Sequence, residues 1–177
     1  MPQSALILRV PEAEPFVAAL RERFDPVARL GVPAHLTLLF PFAAPERTTP
    51  QMLDAARAIA SATRAFPFRL ARIERFPSTL YLAPQPAQPF VALTEQFARA
   101  FPEFPLYGGA FDTIVPHLTV AHGTREELDA VERELRERWP REGVAIPTCA
   151  PVSLIEDSTG TWRTLREFSL GRPADRA

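Results

Sequence analysis

Apolar and polar positions repeat along this chain with two periods, and the switches between them mark the elements. Leu6–Val10 reads as a first strand. Glu14–Phe24 carries Phe16, Leu20 and Phe24 at i, i+4 and i+8, the spacing of one helical face. His35-Leu36-Thr37-Leu38-Leu39-Phe40 returns to strand character and Pro41 stops it. Gln51–Arg64 is alanine-rich and follows Pro50, which predicts a helix with proline in its first turn. Phe66–Phe76 and Thr79–Leu82 predict two strands turning at Pro77-Ser78. Pro89–Phe101 predicts a helix with Phe90, Leu93, Phe97 and Phe101 on one stripe. A loop with Pro102, Pro105, Gly108 and Gly109 leads to a strand over His117–His122. Thr124-Arg125-Glu126-Glu127 has the form of a capping box and opens a helix to about Arg138, with Leu128, Val131 and Leu135 inward. Val144–Glu156 and Trp162–Leu170 predict two last strands, and Pro173–Ala177 a frayed tail.

This order contains a repeat. A strand reading His-Leu-Thr, then a helix, then two strands, occurs from residue 35 and again from residue 117, an offset of 82 in a chain of 177. Such spacing predicts an internal duplication. The length suits one domain built of two lobes sharing a core.

Composition narrows the picture. The formal net charge is −1, from 20 basic and 21 acidic residues, so the chain lacks the excess positive charge of a bulk-electrostatic nucleic-acid binder. Every basic residue is arginine, which excludes lysine-based Schiff-base and P-loop chemistry. The single cysteine, Cys149, excludes an internal disulfide framework. No apolar run approaches a membrane span, and Met1-Pro2-Gln3-Ser4 has no basic leader region. A cytoplasmic protein without membrane contact is expected.

The repeated motif carries the chemistry. Along a strand, residues i and i+2 project to one face. His35 therefore projects with Thr37, and His117 with Thr119. If the two strands meet about a pseudo-twofold axis, two imidazoles face each other across a cleft. In-line displacement at phosphorus needs that pairing: a neutral imidazole takes a proton from the attacking oxygen, and an imidazolium gives one to the leaving oxygen. The threonine hydroxyls can donate to non-bridging oxygens as charge builds there. Two histidines with no acidic partner at helical spacing do not make a typical three-ligand zinc site, so neither metal nor cofactor is expected.

His35-Leu36-Thr37-Leu38 and His117-Leu118-Thr119-Val120, flanked by Leu39-Phe40 and Val115-Pro116, resemble the paired His-x-Thr-x motifs of the 2H phosphoesterase superfamily, in its 2′-5′ RNA ligase-like branch. The resemblance covers about residues 4–170. It implies an α+β, bilobal pseudo-twofold fold, with two antiparallel sheets lining a central cleft and helices outside. It implies metal-independent phosphodiester chemistry on 2′,3′-cyclic phosphates of nucleotides or RNA ends, with the 3′ oxygen leaving and a 2′-phosphate remaining. Members of that branch often place an arginine five residues after the second motif histidine and an aromatic at the matching position of the first half. Here those positions hold His122 and Phe40, candidate substrate contacts. Strict alternation puts both on the face opposite the catalytic pair, unless the strands end or twist there.

Tyr81 and Trp162 fall on what read as equivalent hairpins and are candidates for the cleft wall. Arg163 is the arginine singled out for phosphate. The expected partner is a nucleotide or RNA terminus bearing a cyclic phosphate, bound by a monomer with no obligatory protein partner. The same four motif residues would also serve a 2′-5′ RNA ligase or 3′-end exonuclease activity. A non-catalytic RNA-end or nucleotide binder is the rival from another class.

Overall fold

The structure is a computed structural model and describes residues 2–109 and 113–172. The predicted tail, Pro173–Ala177, lies outside the described residues. The elements run β1 (Ser4–Arg9), α1 (Glu14–Phe24), α2 (Pro26–Arg29), β2 (His35–Leu39), α3 (Pro50–Ala62), β3 (Phe68–Phe76), β4 (Thr79–Gln85), α4 (Gln88–Ala100), β5 (Leu118–His122), α5 (Arg125–Arg138), β6 (Val144–Ile146), β7 (Val152–Glu156) and β8 (Arg163–Phe168). Short 3₁₀ turns join some of them, one of which spans Leu106–Gly109.

The strands form two four-stranded antiparallel sheets, ordered β2-β1-β7-β8 and β5-β4-β3-β6. The motif strands β2 and β5 are therefore matching edge strands. They lie against each other without forming a ladder. Helix α1 packs on β5 and α4 packs on β2, so each helix backs the motif strand of the opposite sheet. One continuous core results, holding Leu36 and Leu38 of β2, Leu118 and Val120 of β5, Leu20 of α1 and the fully buried Phe90 and Phe97 of α4. Burial on both sides of the pseudo-axis stiffens the line along which the two motifs meet.

The structural repeat begins earlier than the sequence repeat suggests. Registers match between β1–β2 (Leu6 opposite Leu39, Ile7 opposite Thr37) and β4–β5 (Leu80 opposite Ala121, Tyr81 opposite Thr119). The repeating unit is thus a strand, a helix, the motif strand, a helix and a strand that crosses to the other sheet. β3 crosses to join β4, and β7 crosses to join β1. Leu6 to Leu80 spans 74 residues and Leu39 to Ala121 spans 82, so the second copy is eight residues longer between its first strand and its motif strand. Most of that excess lies in the loop after α4.

The single strand predicted over Val144–Glu156 is two. Pro147 and Pro151 interrupt it, and the pieces join different sheets, β6 to β3 and β7 to β1. Gly143 makes the turn into β6 at φ +72°, and a Cβ there would sit 2.0 Å from the Leu70 carbonyl oxygen. The capping box on α5 is formed in both directions between Thr124 and Glu127. The short helix α2, capped by the Asp25 side chain, has no counterpart in the periodicity argument because it is only one turn long.

Candidate active site

Each motif strand contains a β-bulge at the same place. In β2 the register shifts between Thr37 and Leu39, leaving Leu38 without a direct partner; in β5 it shifts between Thr119 and Ala121, leaving Val120 so. An inserted residue reverses which face the following side chains occupy. Strict alternation would turn Phe40 and His122 away from the two motif histidines. The bulges bring them back. His122 lies opposite Thr79, which shares the face of Tyr81 and Thr119. Phe40 packs on a patch containing Ala5 and Ile7, and Ile7 lies opposite Thr37.

The two histidines are held alike. His35 Nδ1 lies 2.8 Å from the carbonyl oxygen of Pro33, and His117 Nδ1 lies 2.7 Å from that of Val115. A carbonyl can only accept, so Nδ1 carries the proton and Nε2 of each neutral ring is left with its lone pair. Both rings and both threonines are half-buried.

Around His35 the support is charged and buried. Arg21 of α1 and Asp25, the residue between α1 and α2, are 2% and 1% exposed and form an ion pair with Arg21 Nη2 to Asp25 Oδ2 at 2.9 Å. Arg21 Nη1 also donates to the Val32 carbonyl at 3.1 Å, and the Ala34 amide donates to Glu14 Oε1 at 2.6 Å. The segment leading into His35 is therefore pinned from both ends of one helix. Burial pulls the His35 imidazole down to about 4, and the Arg21 guanidinium pushes the same way. The charge of His117 adds to the depression, as expected of two rings sharing one site.

Around His117 the support is aromatic. Its ring centroid lies 5.2 Å from Phe76, 5.6 Å from Tyr81 and 6.4 Å from Tyr107. Phe76 and Tyr81 stack on each other at 4.4 Å. Burial again lowers the imidazole below its ordinary value, and the nearby His122 adds to the effect. Rings placed this way favour the protonated form once an anion offsets the burial.

Tyr107 ties the two motifs together. It lies in the long loop of the second copy, at φ +49°, an uncommon setting for a non-glycine residue. Its amide donates to the Phe40 carbonyl at 2.7 Å, and its phenol is hydrogen-bonded with the Thr37 hydroxyl. A small cavity of about 30 Å³, roughly the size of one water, lies between Thr37, Tyr107, Val115 and Pro116.

The remaining candidates separate. Tyr81 is buried beside His117 and donates its hydroxyl to Glu74 Oε2 at 3.2 Å. Trp162 sits edge-on to Phe40 at 6.3 Å over the patch of Ala5, Ile7, Val32 and Ile155. The two aromatics do not occupy equivalent positions: the counterpart of Tyr81 is Ile7, as the matched registers require. His122 is exposed, and its Nδ1 is 3.0 Å from Thr79 Oγ1. Arg163 is paired to Glu156, on the strand position beside Ser4, and so turns away from the face of Ile7 and Thr37. Phe76, Glu74 and Arg21 are the neighbours that sequence reasoning did not single out for this site. Among the described residues no three His, Cys, Asp or Glu side chains are grouped to hold a metal ion, and no helix is long and apolar enough to cross a membrane.

Comparison with known proteins places this arrangement. The profile of the 2'-5' RNA ligase superfamily matches residues 10–150, which include both motifs. The "Putative phosphoesterase OB1230" of Oceanobacillus iheyensis is 32% identical over 165 residues, covering 87% of this chain and 89% of that protein. The "Putative phosphoesterase Bcer98_0945" of Bacillus cytotoxicus is 31% identical over 105 residues, 58% of each chain. Among solved structures, TT0787 of Thermus thermophilus aligns with a TM-score of 0.61 at 22% identity, over 96% of this chain and 98% of that one. Escherichia coli LigT complexed with 3'-AMP also aligns at 0.61, with 16% identity, over 96% and 99%. These two share the fold. With the superfamily match spanning both halves, the chain belongs to the 2'-5' RNA ligase superfamily of two-histidine phosphoesterases.

Proposed function

We propose that this protein is a metal-independent phosphodiesterase that opens 2′,3′-cyclic phosphates of nucleotides or RNA ends, leaving a 2′-phosphate. The observation that carries the reading is the matched pair of imidazoles: each has Nδ1 fixed to a carbonyl two residues earlier and a threonine two residues later on its own face.

In this reading His35 is the base. It is the more strongly depressed of the two, stays neutral above about pH 4, and presents Nε2 to an attacking water. His117 is the acid. It takes up a proton as the phosphate's negative charge enters the aromatic box, and delivers it to the leaving 3′ oxygen. Water adds to phosphorus, the bond to the 3′ oxygen breaks, and one proton moves from water to His35 while another moves from His117 to the ribose. Thr37 and Thr119 donate to the non-bridging oxygens, Thr37 after exchanging its Tyr107 partner for the phosphate. The base rests on the Phe40–Trp162 patch. His122 adds a cationic contact when protonated, and Tyr81 holds the wall behind His117. The two lobes differ enough, with Phe40 opposed by His122 and Ile7 by Tyr81, to bind the ribose in one orientation.

The test is incubation with the four 2′,3′-cyclic nucleotides and a short RNA ending in a cyclic phosphate, in EDTA, with products resolved by phosphorus NMR. A single 2′-phosphate product supports the reading. A mixture of 2′- and 3′-phosphates, or turnover that requires an added divalent ion, contradicts it.

A further inference from the structure

Arg21 and Asp25 are buried charges that the proposed reaction leaves unused. A buried ion pair adds little to stability by itself, because lost hydration offsets most of the attraction. The geometry of this one is directional. One Asp25 carboxylate oxygen accepts from Arg21 Nε at 3.1 Å and Nη2 at 2.9 Å, and the other accepts from the Val27 amide at 3.3 Å. Arg21 Nη1 is left to donate to the Val32 carbonyl at 3.1 Å. The next carbonyl along the chain, that of Pro33, accepts the His35 Nδ1 proton at 2.8 Å. The guanidinium therefore lies on the segment that enters β2, and the carboxylate lies behind it toward α2. Burial lowers the His35 imidazole most, Arg21 lowers it further, and Asp25 opposes Arg21 with a smaller effect.

Among the described residues, the other titratable and charged groups around His35 are engaged or turned outward. Arg9 lies opposite His35 on β1 and is paired with Glu167 of β8. Glu14 of α1 accepts from the Ala34 amide, and the Tyr107 phenol is bonded with Thr37. Helix α4 packs on β2 with Phe90, Leu93, Thr94 and Phe97 buried, while its Glu95 and Arg99 are exposed. The His117 ring approaches from β5. The second copy repeats the helix without the charge. Val17, Leu20 and Arg21 are buried in α1, and Phe90, Leu93 and Thr94 are buried at the same spacing in α4. A neutral threonine stands where the first copy has arginine, and the charge acting on the His117 ring is that of His122, not of an arginine.

We propose that Arg21 is a positioning residue for His35, aimed by Asp25. The guanidinium fixes the Val32-Pro33 segment so that the Pro33 carbonyl keeps the proton on Nδ1. It also sets a positive charge against the ring, so that Nε2 stays unprotonated and available as the base. This role rests on the cyclic-phosphate reading of the cleft, in which His35 is the base. Arginine suits it because its planar fork bonds a carboxylate and a carbonyl at once and stays charged when buried. Arg21 is sealed from solvent, so it acts through His35 and touches no substrate.

The experiment is an imidazole NMR titration of the ¹⁵N-labelled protein without substrate, for the wild type, Arg21→Gln, Asp25→Asn and the double variant. The His35 midpoint should rise by about one pH unit in Arg21→Gln, rise less in the double variant, and fall in Asp25→Asn. Opposite signs from the two halves of one pair mark an aimed charge, because loosened packing raises the midpoint in all three. The double variant removes the buried charges and keeps the cap of α2, so it is the one that folds if a single variant does not. In it His35 should shift toward the Nε2-protonated tautomer while His117 keeps its midpoint. Its kcat on a 2′,3′-cyclic nucleotide should fall about 10-fold, part of the contribution of a positioned base, with KM unchanged. Midpoints that rise together in both single variants, a His117 midpoint that moves with that of His35, or a double variant with the wild-type midpoint and tautomer overturns the proposal. The expected midpoints in a wild type that turns over no cyclic phosphate would sink the reading of the cleft and leave the aiming of His35 standing. Turnover with a His35 midpoint indifferent to Arg21 and Asp25 would do the reverse.

Discussion

The two motif strands share one local device and are supported by different physics. Both have a bulge one residue after the threonine, and both fix Nδ1 of the histidine to a carbonyl two residues back. Around His35, however, the surroundings are a buried ion pair and a carboxylate from α1. Around His117 they are three aromatic rings, one delivered by the eight-residue excess of the second copy. The two motifs hold their histidine nitrogens in the same way while their environments differ. On the proposed mechanism, that difference is what separates a base from an acid: a ring held neutral by burial and a nearby guanidinium, and a ring whose charged form aromatic faces can stabilise.

The sharpest way to break the comparison is to remove each imidazole. His35→Ala and His117→Ala should each lower kcat by at least ~100-fold, since positioned acid–base groups contribute about 10²–10⁴. The double variant should be little worse than either single one, because the pair works as a unit. Steady-state kinetics that leave either single variant with half its activity would end the two-histidine account.

The next largest effect tests the charged support. Arg21→Met leaves Asp25 buried without its partner, and should cost on the order of 3–5 kcal/mol in urea unfolding. Phe76→Leu on the aromatic side should cost about 1 kcal/mol, because Phe76 is only half-buried. Equal losses for the two would show that the supports do not differ in kind.

A third effect appears in the pH dependence of stability. His35 is depressed to about 4 when folded, against about 6.5 when unfolded. The unfolded state therefore binds the proton first. The contribution of neutral His35 is full above pH 6.5 and is lost as pH falls toward 4, by about 2–3 kcal/mol. Unfolding curves of the wild type and His35→Gln should diverge over that range. Parallel curves would mean the ring is solvated in the native state.

The smallest effects concern the hydroxyls. Thr37→Val and Thr119→Val each remove a donor to a charged oxygen, worth roughly 1.5–3 kcal/mol, or about 10–100-fold in kcat/KM. Thr37→Val should have the smaller effect of the two, because the Thr37 hydroxyl must first leave Tyr107. A larger loss at Thr37 would remove Tyr107 from that exchange.

Most of the fold was legible in the sequence, for reasons that can be stated residue by residue. Helix α1 was legible to the residue because Phe16, Leu20 and Phe24 recur at helical spacing. The motif strands were legible because His-Leu-Thr alternates polar and apolar positions and proline or glycine follows. The faces of Phe40 and His122 were not, because a bulge leaves no compositional mark: Leu38-Leu39 and Val120-Ala121 are ordinary core residues that both happen to be buried. The split of Val144–Glu156 was signalled by two prolines, but the exchange of its halves between sheets depends on contacts far along the chain. Arg21 and Asp25 stand four apart across the end of α1, the spacing of a surface pair, and only tertiary packing buries them. Tyr107 was marked solely by the glycines after it.

The most direct test of the central claim, one neutral and one protonated imidazole in a shared cleft, is the pH dependence of kcat/KM on a 2′,3′-cyclic nucleotide. Both rings titrate below the ordinary histidine value, so the wild-type profile should be a bell with its acid limb near pH 4 and its alkaline limb below about 6.5. His35→Ala should lose the acid limb and His117→Ala the alkaline one. A profile in which either variant keeps both limbs would contradict the assignment of base and acid.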